Sequence, residues 1–247
     1  MKSYQNLGEV VADLATLSND LWSLKKDVER ASGVAFESQD ARLVALDAVQ
    51  SDLIACGYWI NAALSLERDC RERFGERGEP ELRKRLGVGP GFPGHPIGGE
   101  KGPDVVMIDY LRHSLTVMIH FRVDALFSNL LRKLGKNIPS GFLNRARETL
   151  AASGVARGGY EAKVLTAFAH VRNSFHNNGI HGQGDDTVVI GRVSFEFRCN
   201  QKVRCDSWAH LLLLIRETVK VLRTILLCRT ISGLHEVRDG FAAGSVP

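Results

Sequence analysis

The chain has 247 residues, of which 44% are hydrophobic and 24% are charged, with 32 lysine and arginine residues against 28 aspartate and glutamate residues. This composition excludes an intrinsically disordered chain, a collagen-like repeat and a small disulfide-stapled domain, and the length is sufficient for one large hydrophobic core. The formal net charge of +4 permits an anionic partner such as RNA without requiring one, so composition by itself assigns no function.

The apolar runs and the cysteines indicate a cytoplasmic protein. The longest continuous run, Leu211–Ile215, is far shorter than the roughly 18 residues that a membrane span needs. The N-terminus lacks the apolar region, about 7–15 residues long, of a secretory signal. The five cysteines are an odd set without CxxC spacing, as in a reducing compartment. We therefore expect free thiols, a cytoplasmic location and no membrane association.

The first two predicted helices form a helical hairpin. Apolar residues recur at steps of three and four over residues 7–28 and again over residues 46–63, which is the spacing of one helix face. A break at Ser32–Gly33 separates the two stretches, and Ser38 or Asp40 is the expected N-cap of the second helix. We expect the two apolar seams to pack within one chain; the alternative is that they bind a second subunit.

A loop rich in glycine and proline is predicted at residues 88–103, after the N-terminal helical hairpin at residues 1–87. It holds four of the seven prolines, and because proline fixes φ and lacks an N–H, neither a helix nor a central strand is expected there. Its glycines have the spacing of a phosphate-binding loop, but Glu100 occupies the place of the lysine, which argues against nucleotide binding. Residues 104–247 then form a helical bundle, separate from the hairpin or continuous with it.

The bundle is predicted to contain four helices and one small β-hairpin. The helices are expected at about 104–134, from Pro139 onwards, at about 160–178 and at about 207–231. The first of them is apolar on several faces, as is typical of a central helix. Thr187–Arg198 is predicted to be one strand with Lys202–Cys205 as its return strand, so that Cys199 and Cys205 flank the turn. The predicted fold class is therefore mostly α, a helical bundle with a β-hairpin before the C-terminal helix.

One segment, residues 170–181, concentrates polar and titratable side chains at the end of a predicted helix. At 100° per residue, Arg172 and His176 lie one turn apart at the edge of the buried stripe, and Asn173 and Asn177 form a parallel pair nearer to solvent. An arginine can hold a phosphate bidentately, and an imidazole can take or give a proton near neutral pH. These side chains therefore fit phosphodiester chemistry.

The same segment also has the sequence of a structural helix terminus. Asn178 or Gly179 can adopt the left-handed conformation that ends a helix, and a histidine in the last turn interacts favourably with the helix dipole. Arg172 would then pair with an acidic side chain of a neighbouring helix. The physics of the residues leaves both interpretations open. A metal site built from His170, His176 and His181 is not expected, because their spacings place them on different helix faces.

Arg172-Asn173 followed by His176, on the penultimate helix of a helical bundle, resembles the motif of the HEPN superfamily. Members of this superfamily are helical domains with an arginine, a polar residue directly after it and a downstream histidine. Many are metal-independent endoribonucleases of toxin–antitoxin, phage-defence and RNA-processing systems, and others are inactive binding modules. The motif usually has four to six residues between the arginine and the histidine, and three stand between them here.

The resemblance implies a role for each motif residue and an endoribonuclease activity. Arg172 would contact the phosphate, Asn173 would orient it, and His176 would act as acid or base with help from Asn177. A 2′-hydroxyl would be the nucleophile, and no metal or other cofactor would take part. The resemblance also implies a homodimer that brings two motifs together in one cleft, and an antitoxin as a candidate partner. The alternatives are an inactive HEPN-like module that binds protein, RNA or a nucleotide, and a purely structural protein.

A basic stripe on the last predicted helix is a candidate RNA-binding surface. Arg216, Lys220 and Arg223 follow one another at spacings of four and three on the side opposite the apolar seam. Lysines and arginines arranged in this way can contact successive phosphates. The alternative is an ordinary solvated helix face.

Overall fold

The computed structural model describes residues 6–35, 39–75 and 103–240. Within these residues the chain forms seven helices and one two-stranded antiparallel sheet, which confirms the mostly α fold with a β-hairpin before the last long helix. In chain order the elements are α1 (Leu7–Ser32), α2 (Ala41–Phe74), α3 (Pro103–Lys133), α4 (Phe142–Ala152), α5 (Tyr160–His176), β1 (Asp186–Ile190), β2 (Val193–Phe197), α6 (Trp208–Leu227) and α7 (Arg229–Ser232). The predicted loop at 88–103 lies outside the described residues except for Pro103, where α3 begins.

The α1–α2 hairpin packs through the two apolar seams that its sequence predicts. All the predicted seam residues are buried except the first, Leu7, which is half-buried. Asp40 caps α2 by accepting a hydrogen bond from the N–H of Arg42 at 2.9 Å, whereas Ser38 lies outside the described residues. Helix α1 also packs against α6, and one continuous hydrophobic core includes residues of both hairpin helices and of the bundle. The apolar seams are therefore used within the chain.

A fully buried ion pair at the start of α2 binds the segment that follows α6. Arg42 donates from Nε and Nη2 to the two carboxylate oxygens of Asp40, each at 2.8 Å, and both side chains are 0% exposed. Arg42 also donates to the carbonyl oxygen of Ile231 at 2.8 Å, and Asp40 accepts from the N–H of Val237 at 2.7 Å. Burial would raise the pKa of Asp40, but the hydrogen bonds from Arg42 and Val237 outweigh it and lower this pKa. This set of contacts is the Asp40–Arg42 clamp.

Helix α3 is the central helix of the bundle, as its apolar sequence predicts. It packs against α2, α4, α5 and α6, and most of its predicted apolar residues are buried. Met118 is an exception, since 38% of it is exposed. The six residues predicted to face inward from α6 are all buried: Trp208, Leu212, Ile215, Val219, Leu222 and Leu226. Tyr160, predicted to belong to the buried stripe of α5, is instead exposed, because it is the first residue of that helix and its hydroxyl donates to Glu217.

The β-hairpin lies in the predicted region, but the predicted position of its turn is wrong. The two strands pair around a turn at Gly191–Arg192, so the stretch predicted as one strand, Thr187–Arg198, contains all of β2 and all of β1 except Asp186. Gly191 has φ 60°, a conformation that glycine adopts without steric cost and that suits the first position of a two-residue hairpin loop. Lys202 makes only an isolated bridge with Ile180 instead of starting a return strand.

The corrected turn also separates the two cysteines that were expected to flank it. Cys199 follows β2 and is exposed, whereas Cys205 is buried further along the chain. Burial raises the pKa of the Cys205 thiol to about 12. All five cysteines are free thiols, as the sequence predicts.

One helix of the described residues, α2, is long and apolar enough to cross a membrane by length and composition. Its most apolar window has a mean hydropathy of 1.3, and 39% of that window is buried within the protein. Core helices of soluble proteins pass the same test, so this finding is weak. The absence of membrane association stays a prediction.

Candidate functional site

The four residues predicted to be catalytic lie in the last two turns of α5 and at its end. Arg172 and Asn173 are half-buried, and His176 and Asn177 are exposed. His176 was predicted to lie at the edge of the buried stripe, but it is exposed, because the final turn of α5 packs through Phe175 instead. The ring of Phe175 lies 4.1 Å from the ring of His113 on α3, measured between centroids. His176 therefore stands on the solvent side of the helix end.

The interpretation of this segment as a helix terminus is confirmed. Asn178 and Gly179 both have positive φ, at 54° and 83°. The N–H of Gly179 donates to the carbonyl oxygen of Ser174 at 2.8 Å, and the N–H of Asn177 donates to the same oxygen at 3.0 Å. These bonds join backbone groups only. They leave the side chain of His176 available, so a helix terminus and a site can occupy the same residues.

The guanidinium of Arg172 forms no ion pair with the part of the chain that the structure describes. Its Nη1 donates to Oδ1 of Asn173 at 3.0 Å, and its central carbon lies 5.2 Å from the centroid of the Phe121 ring, a cation–π distance. The Nε atom is buried and has no hydrogen-bond partner in the same part of the chain. Burial lowers the pKa of Arg172, and the nearby charge of Asp124 partly opposes this effect.

Arg172 and Asn173 line an open cleft with a volume of about 340 Å³. Helix α3 contributes His120 and Asp124 to the lining. The start of α4, over residues 141–145, and Ala169 of α5 complete the wall. The cleft is therefore formed by three helices that are separated in the sequence, and its size is at the lower end of the range for small-ligand sites. We call it the Arg172 cleft.

The start of α4 places the positive end of its helix dipole at the wall of the Arg172 cleft. Gly141 precedes the helix and offers no side chain to cap the first-turn N–H groups, which carry the positive end of the helix dipole. Arg145 donates to both carboxylate oxygens of Asp124, at 2.6 and 2.7 Å, and to the carbonyl oxygen of Pro139. The positive charge of Arg145 offsets the negative charge of Asp124, so the additional charge of Arg172 gives the cleft a net positive charge.

His120 is the lining residue that the sequence analysis missed. Only 4% of it is exposed, and neither ring nitrogen has a hydrogen-bond partner among the described residues. Its ring packs 4.1 Å from the ring of Phe142 and 5.9 Å from that of Phe168. Burial, and then the charge of Arg172, lower the pKa of His120 to about 4, so the ring is neutral at neutral pH. Its only signal in the sequence is a histidine within an apolar stretch of helix, which a structural histidine shows equally.

The predicted RNA-binding stripe is engaged in ion pairs. Arg216 pairs with Asp13 and Arg223 pairs with Asp27, which joins α6 to α1, and Lys220 pairs with Glu217 on its own helix. None of the three basic residues lines the Arg172 cleft. The positive charges of this stripe are therefore paired with neighbouring carboxylates. RNA binding by the stripe stays a prediction.

The other two histidines of the polar segment are buried beside the β-hairpin. Nε2 of His170 lies 3.0 Å from a carboxylate oxygen of Asp186, and the rings of His170 and His181 are 5.0 Å apart. His181 makes a hydrogen bond with the carbonyl oxygen of Gly184. Among the described residues, no group of three or more histidine, cysteine, aspartate or glutamate side chains is arranged to hold a metal ion.

No model of a known protein family, no curated protein sequence and no solved structure matches this chain. The HEPN resemblance therefore depends on the motif residues 172–176 and on the helical fold class alone.

Proposed function

We propose that the protein is a HEPN-like, metal-independent endoribonuclease that acts at the Arg172 cleft. The observation that carries this proposal is the half-buried guanidinium of Arg172, which has no carboxylate partner among the described residues and lies one helical turn from the exposed His176. A partly desolvated cation is unfavourable unless it is paired, and a phosphate accepts charge-assisted hydrogen bonds from a guanidinium. A phosphodiester is the ligand that best supplies this missing partner.

In the proposed mechanism, Arg172 binds the scissile phosphate and stabilises the negative charge that builds on it in the transition state. Asn173 acts as a positioning residue, since its Oδ1 accepts the hydrogen bond from Nη1 of Arg172. His176 accepts the proton of the RNA 2′-hydroxyl while that oxygen attacks phosphorus. The bond to the 5′-oxygen breaks, and this oxygen takes a proton from solvent. The products are a 2′,3′-cyclic phosphate and a 5′-hydroxyl end. Asn177 directly follows His176, the general base, in the chain.

Substituting either motif residue is expected to remove RNA cleavage without unfolding the protein. Arg172→Ala and His176→Ala should each slow cleavage of single-stranded RNA by at least about 100-fold, the range for removing one transition-state donor or one acid–base group. Cleavage is followed on denaturing gels with end-group analysis for the cyclic phosphate, with and without EDTA. Lys163→Ala, exposed on the same helix, and His235→Ala, exposed elsewhere, are the matched controls. Cleavage that persists in both motif variants, or that EDTA abolishes, would contradict the proposal.

The second candidate function is an inactive HEPN-like module that binds RNA. The observation that favours it is that His176 does not line the Arg172 cleft. Intact RNA together with salt-sensitive binding that Arg172→Ala weakens would support this function. If RNA neither binds nor is cleaved, the protein is neither an endoribonuclease nor an RNA-binding module.

We also propose that the protein is a homodimer that pairs through an exposed apolar stripe of α3. Tyr110, Ser114, Met118 and Phe121 are all exposed and lie within an arc of about 80° at 3.6 residues per turn. The guanidinium of Arg172 lies over the ring of Phe121, so a second copy bound to this stripe would lie next to the cleft. A homodimer with its motifs close together is what the HEPN resemblance implies. An antitoxin partner stays a prediction.

Charged substitutions in this stripe are expected to dissociate the dimer. Tyr110→Asp and Met118→Asp should each give a monomer in sedimentation velocity, because a carboxylate in an apolar interface loses its hydration. Lys133→Glu, exposed near the end of the same helix, is the control that should leave the dimer intact. A wild-type protein that sediments as a monomer at every concentration would overturn the assignment.

A further inference from the structure

His120 is deeply buried, and its ring makes no hydrogen bond with any residue that the structure describes. Neutral imidazole has one N–H donor and one acceptor nitrogen, and buried polar groups in native proteins are almost always paired. Within residues 6–35, 39–75 and 103–240, both ring nitrogens of His120 lack a partner, and the residue is 4% exposed. It nevertheless lines the open Arg172 cleft. The missing partner is therefore expected to be a ligand that enters this cleft.

The groups around His120 select the chemistry of that ligand. The Nε of Arg172 is also buried and without a partner, and the uncapped first turn of α4 presents backbone N–H groups at the same cleft. The carboxylate of Asp124 accepts from Arg145 through both of its oxygens. Donors therefore exceed acceptors in the cleft. An anion with several acceptor oxygens satisfies this imbalance, as phosphates do at helix N-termini.

We propose that the Arg172 cleft is a phosphate-binding site in which His120 donates its ring N–H to a phosphate oxygen, alongside Nε of Arg172 and the first-turn N–H groups of α4. That the phosphate belongs to RNA rests on the proposed function, whereas phosphate binding itself does not require cleavage. His120 is a binding residue in this arrangement.

A neutral imidazole suits this position better than a second permanent cation. The ring packs among Phe142 and Phe168, where a fixed charge would be poorly solvated while the site is empty. The charged and titratable groups that act on His120 are Asp124 on its own helix, Arg145 on α4, and Arg172 and His176 on α5. A bound phosphate adds negative charge to this set, so binding is expected to raise the pKa of His120.

The test is a titration of the full chain with inorganic phosphate, followed by NMR of the His120 ring proton Hε1. The resonance is assigned by its loss in His120→Phe, a substitution that keeps an aromatic ring among aromatic neighbours. We expect a saturable shift of this resonance, and in calorimetry an affinity at least about tenfold weaker in His120→Phe, since one hydrogen bond to a charged group is lost. His113→Phe is the matched control. It substitutes a half-buried histidine of the same helix that does not line the cleft, and it should bind phosphate as the wild type does.

Phosphate binding that is equal in His120→Phe and wild type, or absent from wild type, would overturn the proposal. If His120→Phe does not fold, His120→Gln replaces it: this variant keeps a side-chain N–H donor and should retain more affinity than His120→Ala.

A competition experiment tests whether the phosphate belongs to RNA. A 2′-O-methyl dinucleotide that competes with inorganic phosphate supports RNA as its source, and a dinucleotide that does not compete overturns the assignment to RNA. RNA cleavage is measured in parallel. Phosphate binding through His120 without cleavage contradicts only the proposed function, and cleavage without His120-dependent phosphate binding contradicts only this inference.

Discussion

Replacing Asp40 by alanine is expected to lower the free energy of unfolding by about 3–5 kcal/mol, the cost of leaving one partner of a buried ion pair uncompensated. Arg42 would remain fully buried and would lose both carboxylate acceptors. Its Nη2 would keep only the longer hydrogen bond to the carbonyl oxygen of Leu234, at 3.2 Å. The N–H of Val237 would lose its acceptor as well. The Asp40–Arg42 clamp joins the start of α2 to the segment after α6, so both of these segments lose stabilising contacts.

Urea denaturation followed by circular dichroism measures the change, and hydrogen exchange locates it. The N–H of Val237 should become the most strongly deprotected amide of its segment in Asp40→Ala. Glu148→Ala removes one partner of a surface ion pair with Arg157 and should change the free energy of unfolding by less than about 1 kcal/mol. The double variant Asp40→Ala, Arg42→Met should recover part of the loss, because no unpaired charge stays buried. A single Asp40→Ala variant as stable as the Glu148→Ala control would show that the clamp does not stabilise the fold.

Lowering the pH from about 6.5 to about 4 in phosphate-free buffer is expected to destabilise the protein by on the order of 3 kcal/mol through His120 alone. The folded-state pKa of about 4 lies below the unfolded value of 6.5. Between these values the unfolded chain binds more protons, so stability is present above pH 6.5 and is lost as the pH falls. The cause is burial among aromatic rings, with the charge of Arg172 as the next contribution.

His120→Phe isolates this effect, because it removes the titrating group while other histidines with lowered pKa values, such as His113 and His170, stay in place. Chemical denaturation of both proteins across the pH range should give a constant difference in stability above about pH 6.5 and a difference that grows in acid, in favour of the variant. At neutral pH the variant should be at least as stable as wild type, since it removes two buried unpaired nitrogens. Parallel pH profiles for the two proteins would mean that His120 is not held in its neutral form by the fold.

Local sequence patterns correctly predicted the features that depend on a single helix face or a single helix end. The seam from Val10 to Val28 is buried as predicted, because residues three and four apart share a face whatever they pack against. The helix end at Asn178 and Gly179 was predictable for the same reason, since the left-handed conformation depends on those residues themselves. The β-hairpin turn was not, because Gly191 lay inside a run whose β-branched residues resemble one long strand.

The sequence by itself determined the helical fold class, the buried faces of α1, α2 and α6, and the proximity of Arg172 and His176 on one helix. Only the tertiary structure decided which side chains share the Arg172 cleft. His120 lies more than fifty positions before Arg172 in the chain, and it meets the start of α4 because three helices cross there. Periodicity specifies which face of a helix turns inward. It does not specify which residues of other helices that face meets, and the unpaired atoms of His120 exist only once those helices are packed together.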